Sequence, residues 1–526
     1  MGLMLGLDFG TGGARVGVFD LERRAILASA ECGYETRHPH PGWAEQNPEE
    51  WWRALGRASR QAIAAAGHPE IVAVSVATTA STVVACREDG TPLRPALLWM
   101  DCRAGEEAAR TAKTDHPVMR FSGGSDAAEW LVPKAMWLRR REPDIWHAAD
   151  RICECLDWIN FQLSGRWVAS RMNATCKWNY DPPAGCFHPA LYDALGIPDL
   201  LERLPQPVVP VGGAIGRLSA AAAEHLGLSG RPLLAQGGID AHIGVLGADT
   251  VAPGKLLMIG GTSVVHLFHV PAEQPLPGFW GPYPDALLDD LWLVEGGQVS
   301  AGSVLSWLSR TIFGLDEAGT QALIAEAAGR PVGDHGLLTL DYFMGNRTPY
   351  RDPQLRGAVL GLSLGHDRAA LYRSAAEGVA LASANVVAQA EMLGIAMDRI
   401  VSAGGYRRNA LWLQATVDAL GRPLHLAAEE NLTIVGCAAV AATAAGLFPD
   451  LTAAAAAVAR DGACLEPDPA AHRRYQEALE RYRSVTDLLT PIFHDLSAER
   501  DITAPVAPVP ILGMPARVEA RNVQAR

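Results

Sequence analysis

The chain opens on two short apolar stretches separated by glycines. Leu3, Leu5 and Leu7 alternate ahead of Asp8, and Val16 and Val18 alternate behind Gly10-Thr11-Gly12-Gly13. A period of two on both flanks predicts two strands joined at a glycine tip. The pattern returns from Lys255 to Val270, where Gly260-Gly261-Thr262-Ser263 separates a second pair of apolar runs. Around these hairpins, strand-like runs such as Ile71 to Val76 alternate with helix-like ones such as Glu49 to Ala65, the rhythm of an α/β domain. Leu371, Ala375, Val379, Ala382 and Val386 recur at helical spacing and predict a long helix with one face in a core; the alanine-rich runs Val435 to Leu447 and Leu451 to Ala459 read likewise. No uninterrupted apolar run reaches ~18 residues, so no membrane span is predicted. From Asp501 to Arg526, prolines at 505, 508, 510 and 515 leave little periodicity, and an extended or disordered tail is expected there.

Glycines at a hairpin tip let backbone N–H groups approach an anion closely, and an aspartate on the first strand can hold a magnesium ion against that anion. One such hairpin is more often just a turn. Two in corresponding places suggest a duplicated architecture, in which two related α/β domains each push one phosphate-binding hairpin into a shared cleft. A third element fits: Ile400 to Asn409 is a short strand ending in Gly404-Gly405, bare backbone against which an adenine or ribose could pack. Leu233 to His242 carries another strand into Gly237-Gly238 and Asp240. There an aspartate could accept the proton of a hydroxyl attacking a γ-phosphate, or simply cap the following helix. Lys177 and Glu295 are charged residues among apolar or small neighbours. Taken alone, each reads as readily as half of an ion pair in the core or on the surface.

Length and composition narrow the classes. A chain of 526 residues suits two domains of roughly 250, with the boundary between Gly244 and Lys255. The net charge of −13, from 45 basic and 58 acidic residues without blocks, argues against nucleic acid or an anionic membrane as partner. Nine cysteines without a C-x-x-C pair read as reduced, cytoplasmic thiols, and Cys153-x-Cys155 lies in no metal-ligand array. Asp8 and Arg15 interrupt the N-terminus, so no secretory leader is expected. The absence of G-x-x-x-x-G-K-[ST] excludes a P-loop kinase.

The set DFGTGGAR, GGIDAH followed by MIGGTS, EGGQVS, GNRTPYRDPQLRG and SAGGYRRN, in this order, strongly resembles the FGGY family of carbohydrate kinases. The resemblance implies an α/β, two-domain actin-like ATPase fold of duplicated ribonuclease-H-type domains with a central nucleotide cleft. Residues 1–246 would bind the sugar and carry the first hairpin, 247–495 would bind ATP, and 496–526 would be the tail. It implies ATP and Mg2+ in the cleft and phosphoryl transfer to a sugar or polyol hydroxyl. Carried over, Asp8 would engage the metal, Thr11, Gly12, Gly261 and Thr262 the phosphates, and Gly404, Gly405 and Asn409 the adenosine. Asp240 would be the general base. Val76 to Thr82 lacks both the Arg-Glu pair of glycerol kinases and the Met-His pair of xylulokinases. With Trp99-x-Asp101, Glu129-Trp130-x-x-Pro133-Lys134, Cys176-Lys177-Trp178 and Glu295-Gly-Gly-Gln298, it looks most like the ribulokinase branch.

By that resemblance Thr79, Ser81, Trp130, Lys177, Asp240 and Glu295 would surround an open-chain ketopentose, most simply ribulose. The segment Pro41 to Gln46, more reminiscent of xylulokinases, keeps xylulose open, as it does the polyols ribitol, xylitol and erythritol. The implied partner is a small molecule, with a homodimer left open. An actin-like nucleotide-binding protein or a sugar sensor without kinase activity stands as the alternative of another class.

Overall fold

The computed structural model describes residues 2–333 and 336–498. In the first half, β1 (Leu3–Phe9) and β2 (Gly13–Asp20) pair antiparallel around the glycine tip, from Leu3 opposite Asp20 to Phe9 opposite Ala14, and β3 (Ala25–Gly33) continues the ladder. Helix α1 (Pro48–Ala65) starts where Asn47 accepts a hydrogen bond from the Glu49 N–H, with proline in its first turn. It leads to β4 (Ile71–Thr78), which pairs parallel to β1. A short helix, α2 (Arg171–Lys177), precedes the edge strand β5 (Ala214–Arg217) and β6 (Leu233–Ile239), and α3 (Asp240–Gly247) follows β6 directly. The six-stranded order is β5-β6-β4-β1-β2-β3.

The second half repeats the plan. β7 (Lys255–Gly260) and β8 (Val264–Val270) form the second hairpin, and β9 (Trp280–Pro284) and β10 (Trp292–Gln298) extend it antiparallel. After the long helix α4 (Arg368–Met392), β11 (Arg399–Gly404) pairs parallel to β7 and β12 (Leu424–Ala427) parallel to β11. Helices α5 (Leu432–Ala444) and α6 (Leu451–Val458), the edge strand β13 (Asp461–Leu465) and α7 (Pro469–Ala498) complete it. Laid side by side, β3-β2-β1-β4-β6 and β10-β8-β7-β11-β12 share one sequence of antiparallel and parallel partners. This is the duplicated α/β architecture that the two hairpins suggested, in the actin-like form that the family resemblance implied.

Both faces of the first sheet are covered, which is why all of β1 except Leu3 is buried. Leu5, Leu7 and Phe9 share a core with Trp51 and Leu55 of α1, whereas Met4 and Phe19 share one with Val435 and Val440 of α5, from the other half. That helix lies close: a Cβ on Gly17 would fall 2.5 Å from Ile434 Cγ2. α3 and α5 each follow the corresponding strand of their half and cross almost backbone to backbone. A Cβ on Gly436 would sit 2.0 Å from the Ile243 carbonyl oxygen, and one on Gly247 2.3 Å from that of Leu432.

Two features differ from the sequence expectation. A four-stranded sheet, with strands Glu45–Gln46, Ala96–Leu97, Val83–Cys86 and Arg151–Glu154, is inserted in the first half. Strands of two to four residues are too short to show a period. The last helix runs to Ala498, past residue 496 where the tail was expected to begin. The remainder of that tail, 499–526, lies outside the described residues.

Candidate active site

The two hairpin tips are held by different means. At the first, the Tyr34 hydroxyl donates to the Gly10 carbonyl. Gln46 Nε2 donates to the Thr11 carbonyl at 2.7 Å, and the Trp99 indole N–H to Thr11 Oγ1 at 3.0 Å. At the second most of the work is done by backbone: the Gly261 N–H donates to Ser263 O at 2.8 Å, and the Ala301 and Ser303 N–H groups to Thr262 O at 3.0 and 3.1 Å, joined there by the Ser303 hydroxyl at 2.9 Å. Gly404, at φ +87°, packs on this second tip, since a Cβ there would lie 2.4 Å from Gly260 O; Gly405 is beside it. The glycines carried by these two strands are thus neighbours in space. Gly12 and Gly261 differ from the others: a Cβ on either meets nothing within 4 Å, and neither has φ in the left-handed region. The protein itself does not require glycine there, so the space in front of both tips is open for a ligand that needs bare backbone.

Two carboxylates stand near the first tip. Asp8 is buried at the end of β1, where Arg15 Nη1 contacts its Oδ2 at 3.0 Å and Asn431 Nδ2, from the other half, reaches the same oxygen at 3.5 Å. Burial lifts its pKa above the ordinary range against the pull of Arg15. Asn431 also caps α5, accepting from the Ile434 N–H; its position before an alanine-rich helix was the only sequence signal for it. Asp240 is half-buried at the start of α3. Its Oδ1 accepts from the Ala241 N–H at 2.7 Å, and no side chain caps that helix, so it does not serve as an N-cap. Burial first, and then the negative charge of Asp8, push its pKa up to about 7.

Further along the seam between the halves, Lys177 of α2 meets Glu295 of β10. Nζ lies 3.3 Å from Oε2, and the two residues are 3% and 7% exposed. The ammonium is caged by aromatic faces, with Trp130 at 4.7 Å, Trp280 at 5.1 Å and Tyr283 at 5.8 Å from its centre to the rings. Trp130 and Trp280 meet edge to face across the seam, with centroids 5.4 Å apart. Arg347 approaches the other Glu295 oxygen at 3.7 Å and stacks over Trp280 at 4.2 Å. Burial works against the Glu295 carboxylate, but Lys177 first, then His242 and Arg347, outweigh it and hold the group below its ordinary range. His242 Nε2 lies 3.6 Å from Glu295. Burial pushes that imidazole down to about 4, so it faces Glu295 as a neutral ring at neutral pH.

Arg347, His242, Trp280 and Tyr283 were missed as site residues. The first two lie within the quoted stretches GNRTPYRDPQLRG and GGIDAH; the aromatics had no local signal. Thr79 lies against the end of β1: its N–H donates to Phe9 O at 3.1 Å beside Asp8, and its hydroxyl shares a hydrogen bond with Thr82. Two other expected site residues are engaged elsewhere. Ser81 is fully buried, and its hydroxyl donates to Glu154 at 2.6 Å rather than facing the seam. Both ends of the Asn409 amide are committed. Oδ1 caps the helix Ala410–Leu420 through the Trp412 N–H, and Nδ2 donates to Tyr372. The segment Pro41 to Gln46 packs within its own half, with Trp43 under the Arg103 guanidinium at 3.7 Å, and supports the first tip through Gln46.

Comparison with known proteins agrees with this geometry. Residues 3–247 match the N-terminal domain, and 256–445 the C-terminal domain, of the FGGY family of carbohydrate kinases. A ribulokinase of Mycolicibacterium smegmatis is 31% identical over 92% of this chain and 93% of its own. A human FGGY carbohydrate kinase domain-containing protein is 28% identical over 88% and 92%. Among solved structures, a xylulose kinase from Rhodospirillum rubrum superposes with a TM-score of 0.82 at 28% identity, covering 94% of this chain and all of its own.

Proposed function

The chain belongs to the FGGY family of carbohydrate kinases, and from that premise we propose that it transfers the γ-phosphoryl group of ATP to a hydroxyl of an open-chain ketopentose, with ribulose as the acceptor. The observation that carries this reading is the caged Lys177–Glu295 pair, whose carboxylate lies within electrostatic reach of Asp240. It offers a polyhydroxylated chain a charged donor, a charged acceptor and flat apolar walls in one place. The ribulokinase of M. smegmatis is the relative that supports the choice of sugar.

In this reading the acceptor hydroxyl lies against Asp240, whose pKa of about 7 suits a base that must be ionised at neutral pH and still take a proton in the transition state. The open backbone at Gly12 and Gly261 receives the phosphates, and the exposed Thr262 side chain adds a hydroxyl to them. Gly404 and Gly405 leave bare backbone beside the second tip for the nucleoside. The acceptor is held in line by Lys177 and Glu295, so catalysis rests on positioning and fixed charge more than on covalent chemistry.

Among the described residues no three acidic, histidine or cysteine side chains gather into a ready-made metal site. Asp8 fits a magnesium ion that keeps waters and phosphate oxygens as its other ligands: it is a hard oxygen donor whose buried charge lacks full compensation. A magnesium ion there would neutralise phosphate charge. Thr79 and Phe9 close the end of β1 behind it, and a bound acceptor between the aromatic walls would exclude water, so ATP hydrolysis without acceptor should be slow.

Xylulose is the second acceptor, favoured by the likeness to the R. rubrum xylulose kinase. A coupled ADP-release screen across ketopentoses, pentitols, tetritols and glycerol tests the proposal. Ribulose should give the highest kcat/KM. Efficient glycerol turnover would remove the ketopentose reading, and no turnover on any acceptor would remove the kinase reading.

A further inference from the structure

Behind the acceptor end of the seam lies a carboxylate with no role in the steps above. Glu154 ends the strand Arg151–Glu154 of the inserted sheet, immediately before the helix Cys155–Ser164, and is fully buried. Three side chains donate to it. Ser81 Oγ and the Trp178 indole N–H reach Oε1 at 2.6 and 2.7 Å, and Asn173 Nδ2 reaches Oε2 at 2.8 Å. Ser81 belongs to the turn that carries Thr79 away from β4. Asn173 lies in α2 and Trp178 is its C-terminal cap, one residue past Lys177. The turn is gripped from its other side as well, because Lys134 Nζ donates to the Ser81 carbonyl at 2.8 Å.

We infer that Glu154 is a positioning residue that ties the Thr79–Thr82 turn to helix α2 and so fixes where Lys177 stands relative to Thr79. The inference rests on the acceptor site proposed above. A carboxylate in the interior costs desolvation that an apolar side chain of the same volume would avoid. This one stands in a capping box with Asp157 at the start of its own helix, yet all three of its side-chain donors come from the Thr79–Thr82 turn and from α2 with its cap. Charge reinforces the placement, since Lys134 and Lys177 both lie within electrostatic reach of it. A shift of either element by a fraction of an ångström would move the Lys177 ammonium against its cage while leaving the hairpins in place. The consequence is a selective one, for acceptor binding and not for nucleotide binding.

The chemistry of the site provides a rescue. In Glu154→Gln the retained oxygen can still accept from Ser81 and Trp178. The new amide N–H can be met by Asn173 after its own amide turns over, because Asn173 Oδ1 has no hydrogen-bond partner as it stands. Glu154→Ala keeps none of the three bonds. The test uses the full-length protein and the acceptor that the wild type turns over fastest, with KM measured for acceptor and for ATP and Tm recorded for each variant. Glu154→Ala is expected to raise the acceptor KM by at least ~10-fold, with the ATP KM within about twofold of wild type. Ser81→Ala, which removes one donor, should raise the acceptor KM by roughly 3- to 10-fold, and Glu154→Gln should stay within about threefold of wild type.

If Glu154→Ala does not fold, Ser81→Ala and Asn173→Ala carry the same comparison. An unchanged acceptor KM in these variants, or equal rises in both KM values, overturns the inference. A wild type that phosphorylates nothing is the failure of the proposed function, and it is seen before any variant is made.

Discussion

The ends of the seam proposed for nucleotide and for acceptor are built on opposite principles. At the nucleotide end the surface is backbone: Gly12 and Gly261 face open space, Gly404 and Gly405 lie flat beside the second tip, and the contact that reaches Asp8 from the other half is the long one from Asn431 at 3.5 Å. At the acceptor end the surface is side chain, and the halves are locked together. Lys177 meets Glu295, Trp130 meets Trp280, Phe121 meets Trp292, and Arg351 donates to the Gly123 carbonyl. A phosphate presents the same oxygens whichever way it turns, so repeated N–H groups suffice to hold it. A sugar differs from its isomers by the direction of single hydroxyls, and discrimination at that level requires polar groups that are left unpaired by the wrong isomer. The comparison predicts that substitutions at the two ends separate cleanly in their kinetic signatures.

The largest effect is expected where the two ends meet. Asp240→Asn removes the base but not the hydrogen bond from the Ala241 N–H, since the amide oxygen still accepts it, so the fold should be retained. Turnover should fall by roughly 10²- to 10⁴-fold while both KM values stay near wild type. The wild-type rate should also decline as pH drops through about 7, because protonation of a carboxyl with a raised pKa removes the base form. That limb should be missing from the residual activity of the variant. More than half of wild-type turnover at saturating acceptor would show that Asp240 is not the base.

Next in size is the acceptor end. Lys177→Met keeps the stem within the aromatic cage but removes the ammonium, leaving Glu295 with Arg347 as its remaining charged partner. The loss on a five-carbon acceptor should be ~1–3 kcal/mol, expressed in acceptor KM and kcat with the ATP KM unaltered. Any residual activity on glycerol should fall far less, because the shorter molecule does not reach the ammonium. Equal losses on both acceptors would make Lys177 a structural residue, and a raised ATP KM would dissolve the distinction between the ends.

The same distinction explains what could be read from the sequence. Gly12, Gly261 and Asp240 are visible locally: one glycine tip between alternating strands is more often just a turn, but the same tip met twice, with an acid at a strand end between them, points to a shared cleft. The duplicated sheets follow from seeing that signal twice. The acceptor end is assembled from residues more than 100 positions apart, such as Lys177 with Glu295, and no window of sequence contains both members. Carry-over from the family also lands on side chains that are engaged elsewhere. Ser81 and Asn409 sit in the right segments, yet one hydroxyl is spent on Glu154 and one amide on a helix cap and Tyr372. Whether a polar side chain faces a ligand or the interior is decided by packing partners that the surrounding residues do not reveal.

The glycines offer a sharper test of the backbone-only end. Gly12→Ala and Gly261→Ala each place a methyl group into open space, so Tm should not move. The ATP KM should rise on the order of 10-fold, about 1.4 kcal/mol, as the approach of phosphate to the N–H groups is lost. Gly404→Ala is the structural counterpart. Its Cβ would lie 2.4 Å from Gly260 O at a φ of +87°, and the strain of ~1–3 kcal/mol should lower Tm together with nucleotide affinity. If Gly12→Ala changed the acceptor KM instead, the first tip would belong to the acceptor end.

The smallest effect is expected at Thr262. Its backbone carbonyl is already held by the Ala301 and Ser303 N–H groups and the Ser303 hydroxyl, so the tip keeps its shape when the side chain changes. Thr262→Val retains the β-branch and deletes only the hydroxyl. If the phosphates are held chiefly by backbone N–H groups, that hydroxyl is one contact among several, and its loss should raise the ATP KM by only about threefold, with kcat and the acceptor KM within error of wild type. A much larger loss would mean that the second tip, like the acceptor end, relies on a specific side chain. No change in ATP dependence at all would take Thr262 out of the nucleotide site and leave Gly261 as its contribution from that turn.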